Sequence, residues 1–181
     1  MGKLDRGTDS YAASEGRISL YSKEVFCENI RLCEKSMYNL AFSILKNEDD
    51  AGDAVSEAIY RAYRSFDKLK DINVFKSWIL KIVHNTSVEM IRKNSRLKLT
   101  GEIEETEDSS YELNIATRIT VREAVTGLKQ PYQTIVILFY YENLSVNEIS
   151  NIMESSTAAV KKQLERARKM LLEALKEEFD R

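Results

Sequence analysis

Helix breakers are scarce in this chain. One proline and six glycines among 181 residues leave long stretches with nothing to interrupt a helix, and an all-α fold is expected. The two cysteines, Cys27 and Cys33, stand six apart, the spacing of neither a CxxC redox pair nor a zinc knuckle, and the one histidine, His84, has no second imidazole to join it. Both cysteines are read as reduced, with Cys33 in the core, and neither a metal nor a cofactor is expected. No apolar run approaches the roughly 18 residues of a membrane span, and the N-terminus lacks the apolar core of a signal peptide, so a cytoplasmic protein without membrane insertion is expected. There is no nucleophile–base pair and no Gly-rich phosphate loop, which argues against an enzyme. A formal net charge of −2 excludes a generally basic coat, so any nucleic-acid binding has to come from local patches.

Such patches exist. Between Arg61 and Lys98 ten cations face three carboxylates, a basic stretch inside a mildly acidic chain. A second lies further on. Ser145 followed by Glu148 is a capping box, and Val146, Ile149, Ile152 and Met153 then recur at helical spacing. After Glu154 and Ser155 break the pattern, Ser156 is a second N-cap candidate. The helix beyond it has a stripe of Ala159, Val160, Leu164, Ala167 and Leu171, with Lys161, Lys162, Arg166, Arg168 and Lys169 largely off the stripe. Two helices joined by about three residues, the second basic, read as a helix-turn-helix suited to the DNA major groove. The plainer alternative is an αα-hairpin with a solvated basic face.

The rest of the chain divides around these patches. Residues 1–21 carry Gly2, Gly7 and Gly16 without any period and are read as a flexible leader. From Ser22, Phe26, Ile30, Cys33, Met37, Leu40 or Ala41, and Ile44 give a helix stopping near Asn47. Asp49 or Asp50 opens another, with Ala51, Ala54, Val55, Ala58, Ile59 and Ala62 inward, ending near Phe66. Residues 67–75 read as a loop, and Trp78, Ile79, Ile82, Val83, Val88 and Ile91 restore a helix to about Lys93, with Trp78 as a core anchor. Residues 96–116 hold six carboxylates and few large apolar residues, and read as a flexible acidic linker between two small, independently folding helical domains, 22–95 and 117–181. In the second, a helix through Val121 and Val125 stops at Gly127, and Pro131 at a first-turn position starts the apolar helix through Ile135 to Tyr141.

Three runs in this order resemble a known family. These are NEDDAGDAVSEAIYRAY at 47–63, FKSWILKIVHN at 75–85 with Arg92 beyond it, and LSVNEISNIM at 144–153, continued by Val160-Lys161 and by LERAR at 164–168. They resemble the extracytoplasmic-function (ECF) group of the sigma-70 family of RNA polymerase sigma factors. The likeness covers about two thirds of the chain. This sequence departs from the family pattern at Ser56, where a Gln is usual, at Glu154 and Ser155 in place of the turn glycine and its apolar neighbour, and at Gln163, commonly basic.

The resemblance implies that 22–95 is sigma region 2, which docks on core polymerase and opens the −10 element, and that 117–181 is sigma region 4, whose helix-turn-helix reads the −35 element. It places polymerase docking, on a coiled coil of the largest subunit, at Asp50, Asp53, Ser56, Glu57 and Tyr60; the Asp53 and Glu57 carboxylates, four apart, share a helix face. Opening DNA requires a cation-lined path and a pocket or platform for a displaced base. Lys68, Lys70, Lys76 and Lys81 suit phosphates, Asn73 a base edge, Phe75 a platform or a core anchor, and Asn85 and Arg92 match family positions beside the DNA. For the −35 element the resemblance implies Ser156, Thr157, Lys161, Lys162, Glu165, Arg166 and Lys169, with Lys or Arg suited to guanine and Glu165 to a cytosine amine. The implied partners are bacterial RNA polymerase core, through its coiled coil and flap, promoter DNA, and a membrane-anchored anti-sigma factor. The competing expectations are a repressor or activator that binds duplex DNA unaided, and an interaction adaptor, which would leave the 61–98 patch without a purpose.

Overall fold

The structure, a computed structural model, describes residues 22–99 and 121–179. The leader and most of the expected linker lie outside the described residues. Those described form helices and short helical turns, in two units.

The first unit is a three-helix bundle. Helix α1 (Lys23–Leu45) starts at Ser22, whose hydroxyl accepts from the Val25 N–H at 3.3 Å, and it buries Phe26, Cys33, Met37, Leu40, Ala41 and Ile44, the expected stripe. It ends because Lys46 turns left-handed (φ 59°). Helix α2 (Glu48–Tyr63) begins one or two residues before the expected start at Asp49 or Asp50. Asn47 is its N-cap, accepting from the Asp50 N–H at 3.0 Å, and Glu48, Asp49 and Asp50 fill the first turn, where negative charge meets the positive end of the helix dipole. Its buried residues are all alanine: Ala51, Ala54, Ala58 and Ala62. Such small side chains let α2 pack closely against both α1 and α3.

The expected loop folds into two short 3-10 turns, Phe66–Lys68 and Ile72–Val74. Helix α3 (Phe75–Leu99) follows and outruns its expected end near Lys93, so residues 96–99, assigned to the linker from their polarity, are helical. Arg96, Leu97, Lys98 and Leu99 are all good helix formers, and polarity alone does not stop a helix.

In the second unit α4 (Val121–Thr126) leads through Gly127 to Pro131, which caps α5 (Tyr132–Val136) rather than occupying its first turn. The apolar run stays helical as expected, relaxing into a π-helical turn at Ile137–Tyr141. Helix α6 (Val146–Ile152) starts on the expected capping box: Ser145 Oγ accepts from the Glu148 N–H at 3.3 Å, and Glu148 accepts from the Ser145 N–H at 2.8 Å. Helix α7 (Thr157–Phe179) starts at Ser156, whose Oγ accepts from the Ala159 N–H at 3.1 Å, and buries Val160, Leu164 and Ala167.

The units do not stand apart. Ile135, Leu138, Leu144, Ile149, Ile152, Val160 and Leu164 belong to one continuous apolar cluster with Met37, Leu40, Ile79, Leu80 and Val83 of the bundle, and α6 packs on α3 while α5 packs on α1. Only Val125, Leu128, Val136 and Ala167 make a separate small core. The expectation of independent halves did not foresee this packing. It weighed the apolar content of the linker, whereas the residues that join the units are on the helices themselves.

Candidate polymerase and nucleic-acid surfaces

On α2 the face opposite the alanines is exposed: Asp53, Ser56, Glu57 and Tyr60 lie on it, with Asp50 half-buried at its start. Asp53 makes no hydrogen bond or ion pair among the described residues, but Glu57 is engaged, accepting from Arg61 Nε at 2.7 Å, while Arg61 Nη1 reaches Glu89 Oε2 of α3, also at 2.7 Å. The two carboxylates hold the guanidinium above its ordinary range, chiefly through these hydrogen bonds. All three groups are wet, so each pair contributes about 0.2–1 kcal/mol and a partner's cation can compete for Glu57. Tyr60, with Arg64 5.7 Å from its ring centre, adds an exposed aromatic to the rim.

After α2 the chain presents Lys68, Lys70 and Asn73 to solvent. Asp71 organises this turn, accepting from both the backbone N–H of Asn73 (2.9 Å) and its side-chain amide (3.0 Å). Phe75 is not available to a base. It is 2% exposed and sits edge-on to Phe26 and Phe66, with Trp78 tilted against it at 5.6 Å, so it is a core anchor and the platform role is corrected. Trp78 is half-buried, packed against the same cluster.

Three of the four remaining residues expected at the −10 element meet the second unit. Lys76 Nζ lies 2.9 Å from Glu142 Oε2 and donates to the Glu142 carbonyl at 3.0 Å. Glu142 is buried while Lys76 is partly wet, so removing the ammonium would leave a dry carboxylate unpaired at a cost of about 1–3 kcal/mol or more. Lys81 Nζ lies 3.6 Å from Glu154 Oε1, which also accepts from Asn85 Nδ2 at 3.4 Å. Beside them His84 is largely buried and shares a 3.1 Å hydrogen bond with Asn85; burial holds its pKa below the ordinary value, against the smaller opposing effects of Asn85 and Glu154. Arg92 is exposed.

On α7 the expected spacing holds in space. Ser156, Thr157, Lys161, Lys162, Glu165, Arg166 and Lys169 are exposed on the side away from Val160, Leu164 and Ala167. Glu165 and Lys169 pair at 2.9 Å, and that hydrogen bond is the main reason the Glu165 carboxyl stays below its ordinary pKa. Arg168 is turned to its own chain: its Nε donates to Tyr140 Oη at 2.7 Å, and its guanidinium lies 5.8 Å from both the Phe139 and Tyr140 ring centres. It ties α7 to the π-helical turn.

Sequence reasoning missed Glu142 and Lys46, whose Nζ donates to Gln133 Oε1 at 2.6 Å. It found Glu154 only as a departure from a glycine. No local pattern in the sequence marks them; Lys46 and Glu154 stand out only in the structure, where with Asn143 they are the non-glycine residues with left-handed backbone among those described.

A helical bundle with an exposed acidic face, a basic edge and an appended helix-turn-helix defines a DNA-directed factor built to meet a protein partner as well. Comparison with known proteins identifies the class. The model of Sigma-70 region 2 matches residues 30–97, and that of Sigma-70 region 4 matches 118–171. The RNA polymerase sigma factor SigV of Bacillus subtilis is 32% identical over 143 residues, covering 76% of this chain and 83% of its own. The ECF RNA polymerase sigma factor SigW of the same organism is 25% identical, covering 86% and 91%. Among solved structures, the sigma factor RpoE of Bartonella quintana, in complex with the anti-sigma factor NepR, superposes with a TM-score of 0.69 at 21% identity over 84% of this chain and 98% of that one. CnrH, in complex with the cytosolic domain of CnrY, superposes at 0.60 and 18% over 86% and 90%. The chain belongs to the ECF group of the sigma-70 family of RNA polymerase sigma factors.

Proposed function

We propose that this sigma factor docks on core polymerase through Asp50, Asp53, Ser56, Glu57 and Tyr60 of α2, takes the opened −10 strand along Lys68, Lys70, Asn73, Lys76, Lys81, Asn85 and Arg92, and reads the −35 element with the first three turns of α7. The observation that carries this reading is the division of α7. Val160, Leu164 and Ala167 are buried while Lys161, Lys162, Glu165 and Arg166 stand together in solvent on a capped helix, the form a major-groove reader takes. Control by an anti-sigma factor, which this reading takes to be membrane-anchored, draws support from the structure of RpoE with the anti-sigma factor NepR; CnrH was seen with the cytosolic domain of CnrY. Among the described residues no helix is long and apolar enough to cross a membrane, consistent with action in the cytoplasm alongside polymerase.

Run-off transcription with core polymerase, with and without the protein, tests the reading. Specific transcripts are expected only when both are present. Asp53→Lys combined with Glu57→Lys should abolish co-elution with core while leaving helicity unchanged. Tight, sequence-selective binding to duplex promoter without core would instead identify a self-sufficient repressor or activator.

A further inference from the structure

Helix α7 is fixed to its own unit by more than apolar packing. Lys161, Glu165 and Arg168 follow one another at four and three residues, so they share a flank of α7 beside the buried stripe of Val160, Leu164 and Ala167. Apolar contact has no direction and by itself lets a helix roll about its axis. Arg168 adds direction. Its Nε donates to Tyr140 Oη at 2.7 Å, and its guanidinium stands 5.8 Å from the ring centres of both Phe139 and Tyr140, which meet edge-on at 5.0 Å. Both rings come from the π-helical turn, where the Glu142 N–H reaches back five residues to the Ile137 carbonyl at 3.0 Å. The wider turn offsets them from the register that an α-helix would give. Phe139 is packed against the main apolar cluster while Tyr140 is half-exposed, so the clamp is rooted in the core and opens at the surface.

We propose that Arg168, held by Tyr140 and Phe139, is a positioning residue for −35 recognition: the clamp fixes the rotation of α7, and with it the aim of Glu165 and Lys161 one and two turns before it. This inference rests on the reading of α7 as the −35 helix. The plain use of a cation beside a DNA-reading surface is a phosphate contact. The geometry favours positioning instead, because the Nε–H already donates within the chain and the planar guanidinium faces two rings, an arrangement that lysine, with equal charge, cannot reproduce. A hydrogen bond to a base edge weakens steeply as its angle falls, whereas the attraction of ammonium groups to phosphates makes no such demand. A helix free to roll therefore loses discrimination between bases before it loses its hold on the backbone.

The test uses the full chain assembled with core polymerase. A duplex pool randomised at the −35 element is selected on the parent holoenzyme, and binding of the selected duplex and its single-base variants is then measured for each protein variant across a salt series. Arg168→Lys, which keeps the charge, and Tyr140→Phe, which loses only the hydroxyl, should each reduce the preference for the selected sequence by about fivefold, the lower end of what one base contact contributes. The salt slope should not change. The double variant should lose no more than either alone, because both break one contact; additive losses would mean two separate roles and overturn the proposal. Thermal midpoints of helix loss are read alongside. A lowered midpoint with full sequence preference would make Arg168 a structural residue only, and parent-like preference in either single variant overturns positioning outright. An Arg168→Ala chain that binds all sequences uniformly more weakly, with a salt slope smaller by about one, identifies a phosphate contact instead. The reading of α7 is tested separately. If the parent holoenzyme selects no −35 sequence, or if Lys161→Ala and Arg166→Ala leave the preference intact, that reading falls and takes the inference with it; if those two lose the preference while Arg168→Lys keeps it, only the positioning role falls.

Discussion

His84 shows how one side chain can report on the contact between the units. It is largely buried beside Asn85, and Glu154 is the charged group facing it from the second unit. Desolvation is the larger effect and depresses its pKa, so the unfolded chain takes up the proton at higher pH than the folded one. Folded stability is therefore fully present above the unfolded value of about 6.5 and is lost as pH falls from there toward the lower folded pKa. Denaturant titrations at pH 7.5 and 5.5 should show a lower midpoint in acid, and His84→Gln should flatten that difference. A parent chain with equal midpoints at both values would contradict the burial argument. Single residues also mark the limit of what a sequence shows. An aromatic at a loop–helix boundary, such as Phe75, has no periodicity on its loop side to show whether it faces inward, and only the ring contacts with Phe26 and Phe66 assign it to the core.

Elements were the most legible scale because their signals are local. Ser22, Ser145 and Ser156 each sit before an apolar stripe, and each caps its helix as the pattern requires. The capping box at Ser145 is worth about 1 kcal/mol, so Ser145→Ala should lower the thermal midpoint by about 2–4 °C in a chain of this size. Ser145→Asp, which restores an acceptor, should recover most of it. A Ser145→Ala midpoint equal to the parent's would mean that α6 is held by tertiary packing alone. That outcome has a basis, since Ile149 and Ile152 are almost wholly buried. The ends of α2 and α3 were less legible. Three successive acids after Asn47 hid the true cap, and a change of polarity at residue 96 resembled a helix end although no breaker was present.

The whole molecule was legible as a plan but not as an assembly. Three motifs in order gave the class and the two helical units; the contact between them is carried by pairs such as Lys76 and Glu142, 66 residues apart, for which no local spacing exists. That contact governs how the labour of the two units can be tested. Alanine at Lys76 or Lys81 removes an ion pair to the second unit together with a cation for DNA, so its effects are mixed. Lys68, Lys70 and Asn73 are exposed and, among the described residues, make no hydrogen bond or ion pair with the second unit, so they isolate the opening step. Replacing these three by alanine should spare upstream binding, reduce permanganate reactivity of thymines near −10, and be rescued by a pre-melted bubble, because the bubble removes the need to open the stack. Lys161→Ala and Arg166→Ala act elsewhere. Each should cost about 1–3 kcal/mol at a base-reading position, relax sequence preference at the −35 element, and gain nothing from a bubble placed downstream of it. If duplex promoters open normally without Lys68, Lys70 and Asn73, or the bubble rescues both sets equally, melting and recognition are not divided between the 3-10 turns and α7 in this way.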